Sequence, residues 1–211
     1  MRLTKFEHAA FVVEHPEGRL VVDPGSFSTL PDLGDVRAIV VTHEHADHWT
    51  PEQLERLLAA SPGIPVFSTA AVAAAAAPLP IEAVGPGDVR EAGPFTLRFF
   101  GGRHAVIHSS IPVIDNVGVL VNDVLYYGGD AFEGPEGVDV EVLAVPASAP
   151  WMKIAESMDY VLRTRPRRAF PIHEALLSDI GLRLSDDRLG WAVAEAGGEY
   201  VALRPGQSLE L

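Results

Sequence analysis

Arg37-Ala38-Ile39-Val40-Val41, running without a break into Thr42-His43-Glu44-His45-Ala46-Asp47-His48, is the stretch on which the reading of this chain turns. Its first part is a continuous apolar run of strand length, as expected of a strand covered on both faces. That strand delivers the chain into three histidines and an aspartate. Histidines two apart in an extended turn can point to one side, so His43 and His45 can share one ion. Asp47 and His48 then point elsewhere and suit a second ion nearby. Imidazole and carboxylate are the ligands that borderline divalent ions accept. A polar, histidine-rich surface loop is the plain alternative. Against it stands the position: the end of a buried strand is where α/β folds place their sites.

The flanking sequence supplies a frame. Upstream, Ala10–Val13 and Arg19–Val22 read as strands around the hairpin turn His15-Pro16-Glu17-Gly18, and the second ends at Asp23-Pro24-Gly25. Downstream, Thr50-Pro51-Glu52-Gln53 opens a helix with a capping threonine, proline at the first helical position and an early carboxylate. Further strands are expected at Val66–Ser68, Phe95–Phe100, Val117–Val121, Val124–Tyr127, Val140–Val145, Ala169–Ile172 and Tyr200–Leu203. Helices are expected over Ala70–Ala77, Lys153–Arg163 and Arg188–Ala196, the second with Ile154, Met158 and Val161 on one side. No Ser/Gly-rich linker divides the chain. Strands clustered first and then alternating with helices predict one domain, residues 1–211, of two sheets with helices outside them.

Bulk properties exclude whole classes. The 211 residues are 47% hydrophobic and 21% charged, an ordinary globular balance. No apolar run reaches the length of a membrane span, and the N-terminus lacks the layout of a secretory signal, so a cytoplasmic protein without a membrane partner is expected. Cysteine is absent, which removes disulfides and thiolate ligands. Sixteen Lys and Arg against 29 Asp and Glu give a net charge of −13, the wrong sign for tracking nucleic-acid phosphates. The basic cluster Arg163, Arg165, Arg167 and Arg168 reads as a solvated helix end.

Four residues cannot complete a binuclear site, but the chain repeats the strand-end placement. Gly101-Gly102-Arg103-His104, Gly128-Gly129-Asp130 and Pro171-Ile172-His173 each follow a strand, two of them beside glycines that allow close backbone approach. On these residues the chain resembles the metallo-β-lactamase superfamily. Thr42–His48 matches its HxHxDH signature, and His104, Asp130 and His173 match its later ligand motifs in order. The length, the opening His8-Ala9-Ala10 and the Gly-Gly-Asp strand end are most similar to the branch containing L-ascorbate 6-phosphate lactonase. The resemblance implies an α/β fold of four αββα layers with metals in a cleft at one edge of the sheets. His43, His45 and His104 would hold one ion, Asp47, His48 and His173 the second, with Asp130 bridging. Asp23 would be structural, supporting the metal loop. Two divalent ions, zinc or manganese, would share a hydroxide that attacks an ester, lactone or phosphodiester, with Asp47 passing a proton.

Other residues carry weaker expectations. His108 is a candidate proton donor, and His8 and Asn116 are candidate substrate contacts. Trp49 and Trp151 are candidate pocket walls, His15 is expected in solvent, and Glu174 is read as orienting an imidazole or opening the next helix. The partner expected is a small-molecule substrate, with a symmetric homo-oligomer compatible with the second-half helices. A nuclease or phosphodiesterase of the same fold is the alternative hydrolase; a metal-binding sensor or an iron oxidoreductase is the alternative from another class.

Overall fold

A computed structural model describes residues 1–211. The first half forms β1 (Arg2–Lys5), β2 (Phe11–His15), β3 (Gly18–Val22), β4 (Val36–Val40), α1 (Pro51–Ala60), β5 (Val66–Ser68), α2 (Ala70–Ala75) and β6 (Ile81–Ala83). The second forms β7 (Val89–Ala92), β8 (Phe95–Phe100), β9 (Gly118–Val121), β10 (Leu125–Tyr127), β11 (Val142–Pro146), α3 (Ile154–Thr164), β12 (Arg168–Ile172), α4 (Asp179–Glu195), β13 (Glu199–Tyr200) and β14 (Ser208–Glu210). They build two seven-stranded sheets, ordered β14-β1-β2-β3-β4-β5-β6 and β13-β12-β11-β10-β9-β8-β7. The last strand thus returns to the edge of the first sheet, beside β1.

Period-two alternation explains the layering. In β2, Phe11 and Val13 face inward, where they join Leu20, Val22 and Val40 against Phe95, Leu97, Phe99 and Val119 of the other sheet. The intervening Val12 faces outward and packs with Val21 and Ile39 against Leu54 and Leu57 of α1 and Val72 of α2. On the far side, Leu120, Tyr126, Leu143 and Val145 receive Tyr160 and Val161 of α3 and Leu189 and Val193 of α4. Helices therefore cover both outer faces, and the αββα sandwich is the observed architecture. No helix is long and apolar enough to cross a membrane.

Strand direction places the site. β1 and β3 both run antiparallel to β2, and β4 runs parallel to β3, so β1 and β4 end at the same edge. In the second sheet β8 and β10 are both antiparallel to β9, while β11 and β12 continue parallel to β10. His8, His43, His104, Asp130 and His173 all follow the C-terminal ends of these codirectional strands.

Several expectations required correction. The helix expected over Arg188–Ala196 begins a full nine residues earlier, at Asp179, with Ser178 accepting from the Gly181 amide at 3.2 Å. Exposed Ile180, Leu184 and Trp191 oppose buried Leu189, Ala192 and Val193, so apolar side chains on both faces cancel the periodic signal. The final strand expected at Tyr200–Leu203 stops at Tyr200, and the chain closes instead with β14. The short strands β6 and β7 lie outside the strands expected. By contrast, α1 starts as expected, with Thr50 Oγ1 accepting from the Gln53 amide and Pro51 in first position. Asn122 and Asp123 form the turn between β9 and β10, both in left-handed conformation. His15 is half-buried, its ring edge-on to Phe95 at 6.3 Å, rather than free in solvent.

Candidate metal centre

The side chains expected to act together converge in two groups, His43, His45, His104 and Asp130 in one and His8, Asp47, His48 and His173 in the other. Within each, the candidate ligand atoms lie within 4.8 Å of one another. Asp130 also faces the second group. Its Oδ1 is 3.2 Å from His48 Nε2, and its Oδ2 is 3.1 Å from His173 Nε2 and 3.4 Å from His104 Nε2.

The imidazoles are held so that one nitrogen is left free. His48 Nδ1 is 2.7 Å from Asp23 Oδ2, His104 Nδ1 is 2.6 Å from the Ala105 carbonyl and His173 Nδ1 is 2.7 Å from the Ser148 carbonyl. Each acceptor requires the proton on Nδ1, which leaves the Nε2 lone pair directed into the site. The Nε2 atoms of His48, His104 and His173 and Oδ1 of Asp130 are buried and make no hydrogen bond. Unpaired buried acceptors are costly unless something else satisfies them. Convergent nitrogens tied from behind and unpaired in front fit a divalent-ion shell, where ligand atoms bonded at about 2.1 Å sit about 3.4 Å apart in tetrahedral geometry.

Electrostatics favour the same reading. Burial holds the His43 imidazole well below its ordinary range, keeping it in the neutral form that can ligate. Burial also opposes ionisation of Asp130, but the facing His48 and His173 outweigh it and keep the carboxylate charged. His48 is the exception: burial is outweighed by Asp130 and Asp23, which raise its proton affinity, so a bound cation would have to displace a proton from Nε2. Asp47 is depressed despite burial, chiefly through its bond to His8. Among the metal candidates only His45 and Asp47 retain partial exposure, so the centre opens on their side.

Asp23 anchors the loop as expected of a structural carboxylate. It accepts from the Thr42 amide at 2.8 Å and from Thr42 Oγ1 and Tyr127 Oη at 2.7 Å each, besides His48. Two glycines allow the packing. A Cβ on Gly25 would run into the Asp47 carbonyl, and one on Gly129, at φ +64°, would meet Thr42 Cβ at 2.9 Å. His8, Asp23 and His173 themselves adopt left-handed backbone conformations, at φ 60°, 46° and 63°. Such strain persists only where surrounding contacts impose it.

Other candidates fall differently. His8 is buried, its Nε2 3.0 Å from Asp47 Oδ2 and its ring 3.9 Å from that of His173. It is part of the second group rather than an open substrate contact. Asn116 is also buried and fully engaged. Its Nδ2 donates to the Gly128 carbonyl at 2.9 Å and its Oδ1 accepts from the Asp130 amide at 3.1 Å, so it positions Asp130 and is not free to hold substrate. His108 lies on an exposed loop, its Nδ1 2.7 Å from Ser110 Oγ, and belongs to neither group.

Trp49 packs in the outer layer with Leu54 and Leu57 of α1. Trp151 donates from Nε1 to Asp130 Oδ2 at 2.7 Å, a role that no local pattern announced. Glu174 neither orients an imidazole nor caps α4. Its Oε1 pairs with buried Lys5 Nζ at 2.6 Å and accepts from the His8 amide at 3.3 Å. A surface groove of about 800 Å³ between Phe100, Glu133 and Arg163 contains none of the candidate ligands.

Comparison with known proteins agrees with this geometry. Residues 2–173 match the model of the beta-lactamase superfamily domain, a span that ends on the last candidate ligand. Protein Rv0786c of Mycobacterium tuberculosis is 41% identical over 184 residues, 84% of this chain and 86% of that protein. The solved structure of Igni18, a metallo hydrolase from Ignicoccus hospitalis, superposes with a TM-score of 0.74 at 20% identity, covering 100% of this chain and 98% of that one. CmlA, a diiron beta-hydroxylase from Streptomyces venezuelae, superposes with a TM-score of 0.79 at 14% identity, covering all of this chain but 54% of that one. The chain belongs to the beta-lactamase superfamily. It has the metallo-β-lactamase fold and two His/Asp clusters that could each hold a metal ion.

Proposed function

We propose that the protein is a binuclear metal-dependent hydrolase of a small ester, lactone or phosphodiester. The observation that carries the reading is the pairing of two four-membered His/Asp groups with Asp130 between them. His43, His45 and His104 would hold one ion, Asp47, His48 and His173 the other, and Asp130 both. Zinc and manganese suit this all-nitrogen and oxygen donor set. Bound divalent ions supply a hydroxide near neutral pH and polarise the oxygen of the group under attack. The chain's own part is to hold the ligands through Asp23, Asn116 and Trp151 and to manage a proton at Asp47. Its Oδ2 is held by His8 and its side chain is partly open to the cleft. The L-ascorbate 6-phosphate lactonase branch supplies the lactone arm of this reading by likeness alone.

Elemental analysis of wild type and Asp130→Ala, alongside turnover of lactone, ester and phosphodiester substrates, is the test. Two zinc or manganese ions per chain are expected, falling to one or none in the variant with at least a hundredfold loss of rate. Iron in place of zinc or manganese, with oxygen consumption, would replace this reading by an oxidoreductase one, which the fold likeness to the diiron CmlA keeps in view.

A further inference from the structure

Large apolar side chains that face solvent are concentrated where the ligands are. Half of them sit in loops at the ligand edge, Val106 (61% exposed), Ile111 (45%) and Leu176 (55%) in loops that carry a candidate ligand and Phe27 (46%) in the loop that follows Asp23. Scattered exposed apolar residues mean little. These are not scattered. The Phe27 ring stands edge-on to His8 at 5.0 Å, and His8 in turn lies against His173 and bonds to Asp47. Leu176 follows His173 by three residues. Val106 follows His104 by two, and Ile111 closes the same loop through its amide bond to the His108 carbonyl at 2.9 Å. Exposed apolar side chains therefore flank candidate ligands of both groups, and the walls of small-molecule sites are largely apolar.

Charge points the same way. The loops at this edge contain three cationic residues: Arg103 and Lys153, both exposed, and Arg204, which is paired with Asp186. Arg103 donates from Nη2 to the Val113 carbonyl at 3.4 Å. Recognition of a phosphate group would call for a cluster of such donors aimed at it. The loops supply carboxylates instead, Glu7, Glu44 and Asp115 among them.

We propose that the site takes a neutral carbonyl compound, an ester or lactone, whose apolar acyl or aryl arm lies along Phe27, Val106, Ile111 and Leu176. The inference rests on the metal-dependent hydrolase reading and narrows its substrate class. Hydrolysis adds water across the acyl carbon–oxygen bond. The acyl carbon gains the hydroxyl, the leaving oxygen gains the proton, and a carboxylic acid and an alcohol result with no further reactant.

Binding can be tested apart from turnover. Acetohydroxamate and octanohydroxamate share a head group that grips divalent ions and differ only in tail length. On the zinc-loaded protein, calorimetry is expected to show octanohydroxamate binding at least tenfold more tightly, since each fully buried methylene contributes up to about fourfold. Phe27→Ser is expected to cut that ratio to about threefold. Val106→Ser with Ile111→Ser, on the loop that does not touch His8, does the same, while Trp191→Ser on the outside of α4 leaves it unchanged. Equal affinities in the wild type, or a ratio that survives both loop variants, would overturn the proposal. Chain-length-dependent binding without hydrolysis of p-nitrophenyl octanoate sinks the hydrolase reading alone. Failure of either hydroxamate to bind a protein of confirmed metal content sinks both.

Discussion

Asp23 shows how much of the centre depends on residues that touch no ion. One buried carboxylate gathers Thr42, His48 and Tyr127, and its bond to His48 Nδ1 decides which imidazole nitrogen faces the site. Asp23→Ala should leave a buried amide, two hydroxyls and an imidazole N–H without their acceptor. A loss of ~3 kcal/mol or more is expected at about 1–3 kcal/mol per stranded group. For a chain of this size that lowers Tm by about 6–12 °C, measurable by calorimetry on the metal-free protein. A change within 2 °C would show that water replaces the carboxylate at little cost. The ligand residues were legible because each sits just past a strand, and Asp23 was legible because it closes one. Trp151 was not. Its bond to Asp130 joins residues 21 apart through a loop with no periodic pattern. His8 was legible as part of the region but not in its role, because only the folded packing shows that it is buried on Asp47.

At the scale of elements, the Lys5–Glu174 pair ties the end of β1 to the loop after β12. The two residues are 169 positions apart, both side chains are almost wholly buried, and Lys5 Nζ also donates to the Phe6 carbonyl at 2.7 Å. His8 is gripped between them, with its amide on Glu174 and its carbonyl accepting from the His173 amide at 3.0 Å. Lys5→Met removes one partner of a buried pair and should cost about 3–5 kcal/mol. Adding Glu174→Met should recover most of that stability while leaving the His8 amide without its acceptor. Unfolding by urea then separates the two effects; a double variant no more stable than the single one would show that the charge pair is not the source of the loss. No sequence pattern pairs these residues, because a lysine in a short strand and a glutamate after a strand end are each ordinary surface readings. The helices were legible where one face is polar. The first half of α4 was not, since its outer face presents Ile180 and Leu184.

Across the whole molecule, each ligand group draws on both sheets. His43 and His45 come from the first and His104 and Asp130 from the second, while His8, Asp47 and His48 meet His173 in the same way. Bound ions would therefore raise global stability by mass action, and chelator treatment is expected to lower Tm in proportion to the logarithm of the free metal displaced. A Tm independent of metal concentration would count against two occupied sites. The arrangement also predicts an unequal pattern of amide hydrogen exchange. The sandwich is sealed along its length by apolar packing that needs no ion, whereas the ligand edge is closed by side chains whose lone pairs face one another. Metal-free protein should therefore exchange faster at residues 42–48, 101–104, 128–130 and 173–176, with the centres of β2, β4, β9 and β11 as slow as before. The ions would act as a clasp on one edge of a closed book, and losing them would let the covers part there while the spine holds.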